Sequence, residues 1–218
     1  GTGAIYRIAP KGFVPEIPDF DLSSTAGQIA ALKSPARNIR WLGFERLIAQ
    51  GEGVLASVTS MLDDENPYIA ARAVWLLPLL GEAGRRRTVA LCRHDDARFR
   101  VTAFRSLRAA GVDILALAKQ LARDPSAAVR REVALAMRDV PLKDCQSILL
   151  DIAERYDGED RWYLEAVGTG CDGKEDAIYP LLAERLGAVV ASVEYRLAPE
   201  HPHPAPLHDC YAGLSWLA

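Results

Sequence analysis

Long apolar runs are missing from this 218-residue sequence: the longest, from Ala73 to Leu80, is broken by Pro78 and is too short to cross a bilayer. Residues Gly1 to Pro10 lack the basic start and apolar stretch of an export leader. The four cysteines, Cys92, Cys145, Cys171 and Cys210, form no CxxC pair, which excludes zinc-ribbon and thioredoxin-type spacings. A chain of this length also has no need of disulfide staples. Aromatic residues are scarce at 7%, and lysine is scarcer still, with 21 of the 26 basic residues being Arg. The net charge of −3 argues against a generic polyanion binder. What is present, 50% hydrophobic and 25% charged residues, is the composition of a globular chain with one sizeable core.

Self-similarity at a spacing of 30 residues dominates the sequence. Ile39, Ile69, Phe99 and Val129 open four matching segments. Four residues on stand Gly43, Ala73, Ala103 and Val133, followed by Phe44, Val74, Phe104 and Ala134, and Leu47, Leu77, Leu107 and Met137 close the pattern. Apolar positions at i, i+4, i+5 and i+8 share one stripe of a helix and do not describe a strand. Arg40, Arg100 and Arg130 follow the first apolar residue in three copies. Ser34-Pro35, Asn66-Pro67 and Asp124-Pro125 place a capping oxygen before a proline and predict helix starts; Asp96-Ala97 replaces the pair in the third copy. Second helices are predicted near 52–63, 83–93, 112–123 and 142–156, set off by Gly51, Gly81 or Gly111. A fifth, weaker copy covers 159–168 and 174–186, with Glu159 in the place of Ile39 and the register kept through Leu164 and Val167. Thr25 and Gln28, at capping-box spacing, predict a short leading helix.

Asp124-Pro125, Val129-Arg130 and Val133 together resemble HEAT repeats, in particular the compact 30-residue HEAT-like class of bilin lyases. The run Ile5 to Phe13, Ala31 to Pro35 and Asn66 to Ile69 is similar to the repeat segment of large secreted haem-binding proteins of planctomycete-type bacteria, in which a propeller precedes and a c-type cytochrome domain follows. This sequence has no CxxCH, so haem is not carried over, and no cofactor is expected. The resemblance implies an all-α, right-handed solenoid of about five helical hairpins over 25–186, preceded by an extended segment over 1–24.

From Gly187 the character changes. Ala188 to Val193 is a β-branched apolar run with the signature of a buried strand. The following Tyr195-Arg196-Leu197-Ala198-Pro199-Glu200-His201-Pro202-His203-Pro204-Ala205 resembles the YRLAPEHPxPA motif of hormone-sensitive-lipase-like α/β-hydrolases, and His208 to Ala218 resembles the helix behind it. Tyr195, Arg196, Pro199, Glu200 and His201 are motif positions without a catalytic role. Acyl-transfer chemistry in that family needs an oxyanion loop, a G-x-S-x-G elbow, and an acid and a histidine. Gly213-Leu214-Ser215-Trp216-Leu217 lacks the closing glycine. The segment 187–218 therefore reads as a truncated strand-helix fragment, and the whole as a chimaeric or truncated chain joined near Leu181 to Gly187, where both patterns fit. The repeat resemblance implies a secreted or periplasmic bacterial parent and the hydrolase resemblance a cytoplasmic one.

Three further constellations stand out in the sequence. His201, His203, His208 and Cys210 have zinc-ligand chemistry, but alternation with Pro202 and Pro204 separates the imidazoles, and no metal is expected. Asp157, Glu159 and Asp160 around Gly158 lack the alternation of a calcium loop and read as a solvated turn. Eight arginines between Arg85 and Arg108, against only Asp95 and Asp96, form a locally basic stretch. Arg85, Arg86, Arg100 and Arg108 are the expected anchors for an acidic protein or peptide partner. Nucleic acid is the second class for this stretch, disfavoured by negative net charge and by the absence of interleaved stacking aromatics. Trp41, Tyr68, Trp75 and Trp162 are assigned to core or ridge packing. The main expectation is a non-catalytic scaffold, and the alternative is a carboxylesterase of the hormone-sensitive-lipase-like type.

Overall fold

A computed structural model describes residues 8–14, 19–187, 199–200 and 202–217. The expected strand over 188–193, the motif positions Tyr195, Arg196 and His201, and the first seven residues of the N-terminal segment lie outside the described residues. Among the described residues the chain is helical and contains no strand, and no helix is long and apolar enough to cross a membrane. It divides into two compact units, Gly1–Asp113 and Ile114–Ala218.

The first unit holds α1 (Thr25–Lys33), α2 (Arg37–Gln50), a stretch of two 3-10 turns around α3 (Leu55–Thr59), α4 (Pro67–Leu76), a further 3-10 turn (Leu77–Leu79), α5 (Glu82–Leu91) and α6 (Ala97–Ala109). In this unit α1 packs on α2, α4 on α6 and α5 on α6. The α1–α2 approach is close enough that a Cβ on Gly43 would meet the backbone of Gln28 and Leu32 at 2.6 Å, so the first copy uses glycine where the others carry Ala73, Ala103 or Val133. The second unit holds α7 (Leu115–Leu121), α8 (Ala127–Ala136), α9 (Leu142–Ala153), α10 (Arg161–Cys171), α11 (Glu175–Leu186) and α12 (Ala205–Leu217). Here α8 packs on α10, α7 and α11 both pack on α9, and α9 also touches α8 and α10.

The 30-residue pattern fixes the helix entrances. Ser34 Oγ, Asp64 Oδ1, His94 Nδ1 and Asp124 Oδ1 each accept the backbone N–H two residues on, at 3.2, 3.0, 3.0 and 2.8 Å. That turn delivers Ala36, Asn66, Asp96 and Ser126 as the N-cap residues of α2, α4, α6 and α8. Asn66 caps with its side chain and Pro67 takes the first helical position, as expected. Pro35 and Pro125 instead precede the cap, because Ser34 and Asp124 spend their oxygens on the turn before the helix rather than on the helix itself. The leading helix is likewise capped one residue early: Ser24 Oγ, not Thr25, accepts from Gly27 N. Between the helices of each copy Gly51, Gly81 and Gly111 all have positive φ, the left-handed region that a Cβ disfavours.

The interior follows the stripe. Leu47, Leu77, Leu107 and Met137 are fully buried, as are Ala73, Ala103 and Val133. The fifth copy departs from the expected register: Leu164 is 50% exposed, and Tyr163, Ala166 and Gly170 face inward instead. The cause is Tyr163, which fills the small-residue position and is anchored there by its hydroxyl, donating to Ile152 O at 2.7 Å and accepting from Arg130 Nε at 2.9 Å.

Candidate functional site

The arginines that follow the first apolar residue close the loop before their own helix. Arg40 Nη1 donates to Pro35 O at 3.3 Å, Arg100 Nη1 to His94 O and Asp95 O at 2.7 and 2.8 Å, and Arg130 Nη1 to Asp124 O and Pro125 O at 2.7 and 3.1 Å. Each guanidinium thus serves carbonyls of the loop between the preceding helix and its own. Longer bonds join residues at separations near the repeat length: Lys33 to Asp64, Arg131 to Asp160, Arg138 to Asp172, and Glu52 Oε1 accepting from Ala83 N at the start of α5. Arg123 and Arg185 converge on Asp151, and Arg185 also pairs with Glu154.

The four expected partner anchors do not form one cluster. Arg85 and Arg86 lie exposed on α5 and line a shallow depression of about 410 Å³, together with the carboxylates of Glu82 and Asp113. Arg100 is only 9% exposed and its fork is turned to the loop carbonyls. Arg108 is exposed in the last turn of α6, where a cation suits the helix dipole. Arg98 pairs with Asp96, the cap of α6, and these bonds hold the Asp96 carboxyl down at about 2.

The expected solvated turn at 157–160 is a helix entrance: Asp157 Oδ1 accepts from Glu159 N and Asp160 N, which lowers its pKa, and Asp160 caps α10 through Trp162 N. Cys92, Cys145 and Cys171 are buried free thiols; burial pushes Cys92 and Cys171 up to about 11. Such thiols are poor nucleophiles. Among the described residues no serine hydroxyl is bonded to a histidine, and His94 uses its Nδ1 as an acceptor from Asp96 N while its ring stacks on Phe99.

The sequence reading missed a groove between α2 and α4. It has a volume of about 970 Å³ and is lined by Arg37, Arg40, Trp41 and Phe44 from α2 and Arg72 and Trp75 from α4, with Leu32 and Asn38. Trp41 is 59% exposed and stacks on Phe44 with ring centroids 5.9 Å apart; Trp75 is 40% exposed. Tyr68 and Trp162 are more exposed still, so none of the four aromatics assigned to packing belongs to the core. Arg72 Nη1 donates to Leu32 O and Ser34 O at 2.8 and 3.3 Å. Partial burial and the neighbouring Arg40 charge lower its pKa. A signal was available: Trp41 and Trp75 stand two and six residues after Ile39 and Ile69, off the stripe that the core uses.

At the C-terminal end, Pro199 and Glu200 lie in an exposed turn and α12 follows where the motif's helix was expected. No described side chain of α12 is buried. Gly187, with φ 61°, ends α11 in the left-handed conformation.

The family described as the alpha/beta hydrolase fold matches residues 164–218. Tuliposide A-converting enzyme b1, amyloplastic, of Tulipa gesneriana is 57% identical over 37 residues, which are 17% of this chain and 10% of that enzyme. Esterase LipI of Mycobacterium tuberculosis is 58% identical over 31 residues, 14% of this chain and 10% of its own length. Carboxylesterase NlhH of the same species is 60% identical over 30 residues, 14% and 9% respectively. The chain spans about a tenth of the length of the curated relatives it matches. The family match begins inside α10 and includes all of α11, so its first part coincides with helices packed on α8 and α9.

Proposed function

We propose that the activity with which this chain is associated is hydrolysis of carboxylic esters of the hormone-sensitive-lipase-like kind, and that residues 164–218 contribute framework to it rather than reacting groups. The match over YRLAPEHPHPA and the following helix is the observation that carries this reading. The chemistry needs a nucleophile activated by a base and an oxyanion hole. The 218 residues hold neither a G-x-S-x-G nor a Gly-Gly pair, so the chain alone is expected to give no turnover of p-nitrophenyl butyrate that a serine-directed phosphonate abolishes. Placing residues 187–217 in carboxylesterase NlhH, in exchange for that enzyme's own matching stretch, tests the framework role directly. The hybrid should keep its ester turnover within about tenfold; a folded hybrid without activity overturns the reading.

A second reading, a HEAT-like solenoid that binds a protein or peptide, is supported by a different observation: the turns at 34, 64, 94 and 124 and the Arg-to-carbonyl closures recur at one spacing. Stacked hairpins of that kind present extended surfaces. Anchoring of an acidic partner by Arg85, Arg86 and Arg108 is tested by reversing all three to Glu, which should weaken partner capture without loss of helicity. Arg100 is kept in that variant because reversal there would also open its loop.

A further inference from the structure

We infer that the groove between α2 and α4 binds an acidic peptide segment that also carries an aromatic or large aliphatic side chain; the inference rests on the scaffold reading and adds its site and the chemistry of its partner.

Charge is the first argument. Arg37 and Arg40 occupy the first turn of α2, where the exposed backbone N–H groups favour anions, and that turn contains no acidic residue. Arg72 from α4 brings a third guanidinium against Arg40. None of the three is ion-paired with a carboxylate among the described residues, in a protein whose other helix starts recruit Asp96 and Asp160 as caps. Two like charges in the first turn of α2, with Arg72 of α4 against them, break a local rule with no carboxylate among the described residues to offset them, which is the pattern of a site awaiting an anion. Arg40 and Arg72 each commit one Nη to loop carbonyls, so the forks are held in place while their remaining N–H donors stay available. A fork already fixed loses less entropy on meeting a carboxylate.

The floor is the second argument. Trp41 and Trp75, off the core stripe, join Phe44 to give the groove a partly exposed aromatic surface. Apolar floor and cationic rim together fit an anchor side chain flanked by carboxylates. The volume, about 970 Å³, is at the upper end for a small-ligand pocket and accommodates several residues of extended chain. A polyanion is less well matched, since three guanidiniums in a chain of net charge −3 give little counterion release.

The test uses the full chain and three probes: a fluorescein-labelled, end-blocked peptide of alternating aspartate and phenylalanine, the same peptide with lysine for aspartate, and a labelled oligothymidylate. Polarisation reports binding, and its sensitivity to substitutions in the groove reports its location, since tryptophan emission also comes from Trp162 and Trp216. The aspartate peptide should bind and perturb tryptophan emission, with Arg37→Glu and Trp41→Ala each weakening it by about tenfold. Both residues are exposed, and a glutamate at the first position of α2 suits the helix dipole, so circular dichroism should be unchanged. Equal binding of the lysine peptide, tighter binding of the oligothymidylate, or absence of aspartate-peptide binding overturns the inference. Binding that ignores both substitutions also overturns it while leaving a scaffold function elsewhere on the chain intact. The scaffold reading itself fails separately, if neither the groove substitutions nor the three-arginine reversal weakens binding of the aspartate peptide.

Discussion

Replacing Arg130 by Met should be among the most damaging single changes outside the apolar core. Methionine keeps the stem and its packing, so the loss measured is that of the guanidinium. Four bonds disappear: Nη1 to Asp124 O at 2.7 Å and Pro125 O at 3.1 Å, Nη2 to Arg155 O at 3.3 Å, and Nε to the Tyr163 hydroxyl at 2.9 Å. The residue is 9% exposed, and its fork also sits 5.2 Å over the Tyr163 ring. Each carbonyl left unpaired in such a place costs about 1–3 kcal/mol, and water reaching the rim moderates the total to about 3–5 kcal/mol. Tyr163→Phe should cost about 1–2 kcal/mol, since only the hydroxyl is lost. The pair should show a coupling of about 1–2 kcal/mol in a double-mutant cycle. Arg40→Met, at the same repeat position but with one 3.3 Å bond, should stay below about 1 kcal/mol. Urea unfolding followed by circular dichroism reads all four proteins, with midpoints compared at unchanged slope. An Arg130→Met protein within about 0.5 kcal/mol of the parent, or an Arg40→Met protein equally destabilised, refutes the view that burial of this repeated arginine sets its worth.

Other consequences are equally direct. Gly81→Ala should destabilise by about 1–2 kcal/mol, because its φ of 92° suits no Cβ and the added carbon would meet the Glu52 carboxylate that caps α5; Gly53→Ala, with open space around it, should be neutral or mildly stabilising under the same denaturant assay. The Asp96 carboxyl, held at about 2 against an ordinary 3.8, contributes stability that is fully present above pH 4 and is lost as the pH falls through 2; carbon-detected NMR titration should find that midpoint, and a midpoint near 4 contradicts the Arg98 pairing. Disulfide reagent at neutral pH should modify Cys210 first and leave Cys92, Cys145 and Cys171 unreacted until denaturant is added.

Helices were legible in the sequence wherever periodic burial dictated them. The i, i+4, i+5, i+8 stripe located α2, α4, α6 and α8, and the glycines at 51, 81 and 111 separated them from their partners. Entrances were less legible, because Ser34-Pro35 and Asp124-Pro125 look like caps but serve a turn two residues earlier, and only the position of their acceptors distinguishes the two uses. The fifth copy misled for a related reason: Tyr163 stands where a small residue is usual, and its hydroxyl bonds, invisible in a pattern of apolar letters, turn α10 so that Leu164 faces outward. Residue type alone puts Trp41 and Trp75 in the packing and hides the groove, whereas their place off the stripe points to the surface. The arginines illustrate the converse. Arg85, Arg86, Arg100 and Arg108 are close in sequence, yet the helix turn sends Arg100 to a carbonyl pair and leaves Arg85 and Arg86 on another helix.

Amide hydrogen exchange along the whole chain is the most direct test of the claim that a 30-residue unit organises this protein. Protection should rise through α4, α6, α8 and α9, fall at 34–36, 64–66, 94–96 and 124–126, and be lower in α12, whose described side chains are all at least partly exposed, than in α8. A protection profile without minima at that spacing, or one as high over 205–217 as over α8, contradicts the account.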